Sequence, residues 1–433
     1  MSRLIIFDTS NFTDWPVGGQ LTSISNFLRY LQETCPHRKD DVLLVGVTPE
    51  NEDASVEGAS LGDTYPSEEA VTPGGSSATG WNSAPGGSSA SGVGKLPGHI
   101  VEGPFGFPFL PVISVPTDQS GIHRSVRLEY LKGLIRNKKL LKIRDDDCCY
   151  IHTPEAYAGI RCINRKAACY VFSHGTYGDM WRRVRFFKKL PPVRLLFQWY
   201  LMQVIRGAKA VFILDRDSLR DYRGKARKLV RVRNSAVRDP KPPEKQVSDP
   251  VRCLYAGRLS KVKNIGPIIE AFSQGDWAKG RTLTIAGAGE EEKTLKAMAG
   301  DRVSFTGALS PEDTRDLMRR SDILVMNSVF EGMPMAIIEA MSSGLPVVTT
   351  DTGGIGDNLV FGKGCEKTDG TVQGIRNAVD RILSDYGRYS GEAFEYSEVF
   401  DYRRVNRKVF GELNKTLGWQ ENQAHYDKDE TGS

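Results

Sequence analysis

The sequence predicts an α/β protein of two doubly wound, Rossmann-like domains, and three observations predict it. Short β-rich runs alternate with amphipathic stretches, they do so in two successive series, and a segment rich in prolines and charges separates the series. The first series places strands at Leu4–Phe7, Val42–Val47, Cys149–His152, Cys169–Ser173 and Ala210–Leu214. The second places them at Arg252–Ala256, Leu283–Ala286, Val303–Thr306, Ile323–Met326 and Pro346–Thr349. Continuous apolar runs of this kind belong to parallel sheets covered on both faces. The separating segment, Arg238 to Pro250, holds four prolines and cannot lie inside a strand or helix. The expected organisation is a first domain over 1–238 with a flexible, Gly/Ser-rich insertion over about 51–94 and a linker over 239–250. A second domain over 251–390 follows, then a helical segment over 391–419 that crosses back, and a disordered tail over 420–433.

Composition excludes several classes. The chain has 433 residues, long enough for two domains, with 39% hydrophobic and 26% charged residues and no apolar run near the ~20 residues a membrane span needs. The start, Met1 to Phe7, is interrupted by Asp8 and reads as a buried strand instead of a signal peptide. Seven scattered cysteines with no Cys-x-x-Cys pair suggest neither a disulfide framework nor a zinc site, so a cytoplasmic location is expected. The net charge of +5 is concentrated in the first half, in clusters at Arg136–Arg144, Arg182–Arg194 and Arg216–Arg238. Such bases suit anionic nucleotides, a phosphorylated carrier or an anionic membrane surface, while no nucleic-acid motif accompanies them.

The stretch from Ser328 to Val348 carries the most chemistry. It reads as strand, sharp loop, helix, strand. Gly332 permits a close backbone approach, Pro334 fits the first helical turn after Met333, Gly344 suits the position past the helix end, and Pro346 opens the next strand. Glu331 then stands in the loop at the C-terminal edge of a parallel sheet, where ligands of such sheets bind, and Glu339 lies slightly more than two turns into the helix. Two fixed cations, Arg258 and Lys263, follow the first strand of the same series, a planar fork and a point charge suited to a diphosphate. A surface helix with solvated glutamates and a solvated basic turn are the plainer alternatives.

Gly257-Arg258 with Lys263, followed by Glu331 and Glu339 eight residues apart, resembles the retaining glycosyltransferases of family 4, which have the GT-B fold. The resemblance runs from about Val251 to Gly354, through Gly287-Ala288-Gly289 and Phe305-Thr306-Gly307, and is sparse in the first half. It implies a GT-B architecture with two domains facing across a cleft. Arg258 and Lys263 would neutralise the diphosphate of a nucleotide-sugar donor, a UDP- or GDP-sugar, with Glu331, Gly332, Met333 and Pro334 around the transferred sugar and Glu339 on the ribose. It implies no cofactor and no divalent metal, and a glycan or lipid-linked acceptor in cell-surface polysaccharide assembly. Preorganised cations suit that chemistry, because cleaving a glycosyl–phosphate bond leaves negative charge on the departing nucleotide.

Two places in the first half join this reading. Gly18-Gly19 makes a turn between the first strand and an amphipathic helix, so its amides can approach an anion; the resemblance implies that this loop covers the donor phosphates. His174 follows a buried strand, where a structural histidine is the alternative, and the resemblance implies contact with the donor sugar. Asp215 and Asp217 offer a carboxylate pair but open a helix, where acidic residues are favoured. The stretch from Trp181 to Tyr200 mixes bases with aromatics, as membrane-surface segments do, and equally fits a basic loop before a core helix. No carboxylate presents itself as a nucleophile, so retention is taken from the resemblance as front-face attack, the donor phosphate accepting the acceptor's proton. An epimerase or phosphorylase on this fold, or a catalytically idle nucleotide-sugar-binding module, are the rival readings.

Overall fold

The computed structural model describes residues 2–12, 19–49, 97–115, 126–174, 191–241 and 245–421. Gly18, the insertion over 51–94, the basic stretch 181–190 and the tail beyond 421 lie outside the described residues. The first sheet contains β1 Leu4–Asn11, β2 Val42–Pro49, β3 Val101–Glu102, β4 Pro108–Val115, β5 Cys148–Ile151, β6 Ala168–Ser173, β7 Ala210–Ile213 and β8 Leu229–Arg231. Their spatial order is β3-β4-β2-β1-β5-β6-β7-β8. All neighbours are parallel except the short β3–β4 pair. The second sheet contains β9 Val251–Ala256, β10 Arg281–Ala286, β11 Val303–Gly307, β12 Ile323–Val325, β13 Val347–Thr350 and β14 Cys365–Thr368, in the order β11-β10-β9-β12-β13-β14 and wholly parallel. Each sheet thus starts near its middle and winds outward in both directions. The strand order reverses between β1 and β5 and again between β9 and β12, the switch points at which doubly wound sheets bind ligands.

Burial follows the two-residue period of a strand covered on both faces. Leu4 and Ile6 join one core, Ile5 and Phe7 the other, and Cys148 and Tyr150 part from Cys149 and Ile151 in the same way. The helix Gly19–Thr34 lays Ile24, Phe27, Leu28 and Leu31 on the first of these faces. The same core contains Tyr402, Val409, Phe410, Leu413 and Leu417 of the helix Tyr402–Leu417, the last helix among the described residues, which therefore packs on the first domain. Its N-terminus is fixed by Asp401, whose carboxylate accepts from the amides of Arg403 and Arg404. The second domain's core extends past residue 390, for Ala393 of the helix Tyr386–Ser397 and Phe400 are buried within it.

The chain crosses between the domains twice, side by side. Ala236 donates its amide to the Phe400 carbonyl at 3.0 Å and accepts from the Tyr402 amide at 3.1 Å. Other contacts join loops that follow strands of opposite sheets: Asn234 Nδ2 donates to the Met333 carbonyl at 2.9 Å, and Arg216, just after β7, pairs with Asp357, just after β13, at 2.9 Å. The C-terminal edges of the two sheets consequently look toward each other. Asp239, inside the expected linker, is held by a two-point bond from Arg319 at 2.8 and 3.1 Å.

Five strands depart from the expected list: the short β3 and β8 are absent from it, and β1, β4 and β14 depart for local reasons. β1 runs on past Asp8, because the buried carboxylate accepts from Thr9 N at 2.7 Å and Ser10 Oγ at 2.9 Å and so tolerates the interior. β4 contains Pro111, opposite Gly46 where the register shifts and β4 carries an extra residue, the place where a strand accepts proline. β14 is an edge strand whose Glu366 and Lys367 hide it from an apolar pattern.

Candidate active site

The second-domain edge is assembled from two loops at the β9/β12 switch point. After β9, residues Lys261–Lys263 form a single 3-10 turn closed by Asn264 in the left-handed conformation. After β12, the chain passes Asn327 to Glu331 without regular structure. Three ties stitch these loops together. The Val329 amide donates to the Val262 carbonyl at 2.8 Å, Asn327 Nδ2 donates to the Asn264 carbonyl at 3.1 Å, and Lys263 Nζ donates to Glu331 Oε2 in a half-buried ion pair. Lys263 and Glu331 therefore meet directly, 68 residues apart in sequence.

Backbone packing brings the supporting loops this close. Gly353, in the left-handed region at φ +58°, lies beneath Glu331, where a Cβ would come within 1.9 Å of the Glu331 carbonyl; the next amide, of Gly354, donates to that same carbonyl at 3.0 Å. Gly287 does the same for the other loop, a Cβ there falling 1.9 Å from the Gly257 carbonyl. Gly332 is different from the expectation: a Cβ on it would meet open space, so the close protein contact belongs to Gly353 and Gly354 instead. Its exposed backbone faces room for a ligand.

The other expected residues lie around this pair. Arg258 is exposed and pairs with Glu290 in the loop after β10 at 3.3 Å, so it is not part of the Lys263–Glu331 pair. Met333 is buried, and Pro334 caps the helix Met335–Ser342 instead of occupying its first turn, a shift of one residue. Gly344 has φ +65° and donates its amide to the Met341 carbonyl, closing the helix as its type predicts. Glu339 is half-buried, makes no hydrogen bond among the described residues, and burial raises its carboxyl above the ordinary range against a smaller opposing pull from Arg315.

On the opposite edge, His174 follows β6 and His152 follows β5, and His152 Nδ1 lies 2.9 Å from His174 Nε2. Phe172 stacks on His152 with ring centroids 5.2 Å apart. Burial drives the His174 imidazole down to about 3, and burial followed by its neighbour pushes His152 well below its ordinary value, so both rings are neutral at pH 7. His152 carried no functional expectation; its position directly past a strand of the switch point was the available signal. No hydrogen bond or ion pair joins His174 to Arg258, Lys263 or Glu331. Gly19 is the first residue of its helix, while Gly18 is not described.

Asp215 is an N-cap, accepting from Ser218 N at 2.6 Å and Ser218 Oγ at 3.1 Å. The helix Pro191–Gly207 buries Leu201, Val204 and Ile205 but leaves Leu195, Leu196 and Trp199 more than half exposed. No helix among the described residues is long and apolar enough to cross a membrane.

The chain resembles known proteins in sequence and in fold. Residues 238–396 match the family model of glycosyl transferases group 1. The chain is 31% identical over 165 residues to glycogen synthase of Mycobacterium tuberculosis, covering 36% of this chain and 39% of that protein. It is 36% identical over 111 residues to the putative teichuronic acid biosynthesis glycosyltransferase TuaC of Bacillus subtilis, covering 25% and 26%. These matches span well under half the length of either relative. Among solved structures, sucrose-phosphate synthase from Thermosynechococcus elongatus superposes with a TM-score of 0.69 at 13% identity, covering 96% of this chain and 99% of that one. Anabaena HepE in complex with UDP-glucose superposes with a TM-score of 0.62 at 15% identity, covering 96% and 100%. The fold is GT-B, and residues 238–396 are similar to the glycosyl transferases group 1.

Proposed function

We propose that the protein is a retaining, metal-independent glycosyltransferase of family 4 that moves a sugar from a nucleotide-diphosphate donor to a glycan or lipid-linked acceptor in cell-surface polysaccharide assembly. The observation that carries this reading is the Lys263–Glu331 pair at the β9/β12 switch point, with Arg258 on the loop that begins the same turn. In the free protein Glu331 occupies Lys263. An arriving diphosphate competes for the ammonium, and the released carboxylate becomes an acceptor for hydroxyls of the transferred sugar. Arg258 exchanges easily, because its pair with Glu290 is exposed and such pairs are worth about 0–1 kcal/mol. Glu339, with raised affinity for protons and no partner, suits the ribose hydroxyls. UDP is the favoured nucleotide, since Anabaena HepE was solved with UDP-glucose.

His174, neutral at working pH, contributes a hydrogen bond to the sugar and is no source of a proton. The proton released by the acceptor hydroxyl then passes to a donor phosphate oxygen as the glycosyl–phosphate bond breaks, with the cations holding the charge left on the nucleotide. Loss of one such contact raises the barrier by ~3–4 kcal/mol.

The test is a thermal-shift screen with EDTA present against UDP-, GDP-, ADP- and dTDP-sugars, followed by product analysis. A donor at one hundred times its dissociation constant stabilises by ~2.7 kcal/mol. The expected result is stabilisation by one nucleotide class, abolished by Arg258→Ala, with transfer to acceptor. Binding without turnover would favour the idle module; rearranged donor or free sugar phosphate would favour an epimerase or phosphorylase; absence of binding would overturn the reading.

A further inference from the structure

We propose that the junction between the two domains holds a second anion site, separate from the sheet-edge site, that takes a small soluble polyanion bearing a phosphate or diphosphate group. A cavity of about 900 Å³ opens where the two chain crossings run side by side, and its walls include Arg29, Arg238, Arg403, Arg404 and Arg407. That volume is of the order of known small-molecule sites. The carboxylates in the same wall are already engaged. Glu33 accepts from Arg403 at 3.0 Å, Asp239 from Arg319 at 2.8 Å, Glu398 from Arg404 at 2.8 Å, and Asp401 from two backbone amides.

Two guanidinium groups are left with no carboxylate. Arg238 donates only to neutral oxygens, Ser397 Oγ at 3.1 Å and the Phe394 carbonyl at 3.0 Å. Arg29 lies against the rings of Phe105 and Tyr402, at 5.7 and 6.0 Å from their centroids, and its Nε is buried with no hydrogen-bond partner. A buried N–H on a cation is costly to leave unbonded, and a phosphate oxygen is the acceptor that relieves it best. A second cavity of about 320 Å³ adjoins through Arg404 and is lined by Arg231, Arg233, Lys408 and three valines, with no carboxylate. Together they make a cationic strip along the hinge, with the apolar backing that a phosphate ester on a carbon skeleton would use.

The site's position gives it a consequence. Arg29 belongs to the first domain, and Arg238, on the crossing, is bonded to Ser397 and Phe394 at the second domain's exit, so an anion touching both has different affinity for different interdomain angles and shifts their populations.

The experiment is calorimetric titration of the full chain with inorganic pyrophosphate, in a background of Arg258→Ala with Lys263→Ala that silences the sheet-edge site. Pyrophosphate is expected to bind that background, and adding Arg29→Gln or Arg404→Gln is expected to weaken binding on the order of tenfold each, the loss of one charge-assisted bond. Both substitutions made in the native chain serve as the folding control, through an unchanged melting temperature. Should Arg29→Gln misfold, Arg404→Gln and Arg233→Gln, on the rim, carry the test. Pyrophosphate that fails to bind the silenced background, or that binds regardless of these arginines, overturns the proposal, and does so independently of whether the protein transfers sugar.

Discussion

His152 Nδ1 and His174 Nε2 share one proton across 2.9 Å, and the arrangement decides which ring carries it. Nε2 of His152 is buried without a partner. Were the shared proton on His174, neutral His152 would keep its own on Nε2, an orphaned buried donor. With the proton on His152 Nδ1, only a lone pair is orphaned, which folded proteins tolerate better. His174 must then hold its proton on Nδ1, where the proposed donor sugar would accept it. Nitrogen-15 NMR of histidine-labelled protein is expected to show the Nδ1–H tautomer for both rings. His152→Phe should shift His174 toward the other tautomer and cut kcat by about tenfold, the worth of one oriented hydrogen bond, while His152→Asn, which still donates, should restore most of it. An unaltered His174 tautomer in His152→Phe would remove the positioning role.

The same pair makes stability depend on pH in a defined direction. Both folded-state values lie below that of an unfolded histidine, His174 at about 3 and His152 well below its ordinary value. Under mildly acidic conditions the unfolded chain therefore binds more protons than the native one, and stability is lost as pH falls below the unfolded value near 6.5. Each ring contributes a slope approaching ~1.4 kcal/mol per pH unit below that point. Urea unfolding at pH 7, 6 and 5 is expected to show the decline, and the combined variant His152→Phe with His174→Phe to flatten it; parallel declines would assign the loss to other groups.

Glu339 allows stability and binding to be separated. Its carboxyl is raised by burial and has no hydrogen-bond partner, so the charge is a cost in the free protein that Arg315 offsets only in part. Glu339→Gln is expected to leave the melting temperature unchanged or slightly higher while weakening nucleotide binding by roughly tenfold. Lys263→Met should behave oppositely, stranding the half-buried Glu331 and lowering both stability and affinity. Adding Glu331→Gln to Lys263→Met should recover the stability and not the activity. Equal losses of binding and stability in Glu339→Gln would show the glutamate to be a structural residue.

What could be read from the sequence divides along the range of the interactions. The two parallel sheets were legible because ten of the fourteen described strands advertise themselves locally, in runs such as Cys149–His152, while β3, β4, β8 and β14 do not. The Lys263–Glu331 meeting was legible only as two charges on one sheet edge, since the turn and the loop both follow adjacent strands. His152 was passed over because its bond to His174 crosses between strands and leaves no mark on the spacing of either. Gly353 and Gly354 were missed for a related reason: the carbonyls they clear belong to Glu331 and Gly332, a loop away, and a sequence cannot show which glycine approaches which backbone. Gly332, which does stand in the legible segment, attracted the role they perform.

The exposed face of the helix Pro191–Gly207 bears on the acceptor. Leu195, Leu196 and Trp199 are 65%, 65% and 61% exposed, and Trp199 stands four and three positions after the two leucines, the spacings at which side chains are neighbours on a helix surface. The stretch from Trp181 to Arg194, which leads into this helix and begins it, contains six bases, Arg182, Arg183, Arg185, Lys188, Lys189 and Arg194, and no acid, a composition that suits an anionic surface. Each base near such a surface adds on the order of 1 kcal/mol, and each large apolar side chain taken out of water roughly 1.5–3 kcal/mol. Cosedimentation with vesicles containing phosphatidylglycerol is expected to pull the chain down at low salt. Raising the salt should weaken that binding without abolishing it, because the apolar share is not screened. Changing Leu195, Leu196 and Trp199 together to serine should reduce it at least ~100-fold, as the summed apolar loss demands, with the melting temperature little changed since most of their surface is exposed. A native chain that stays in the supernatant at low salt would leave a soluble glycan as the acceptor class and the exposed triad as a surface for another protein.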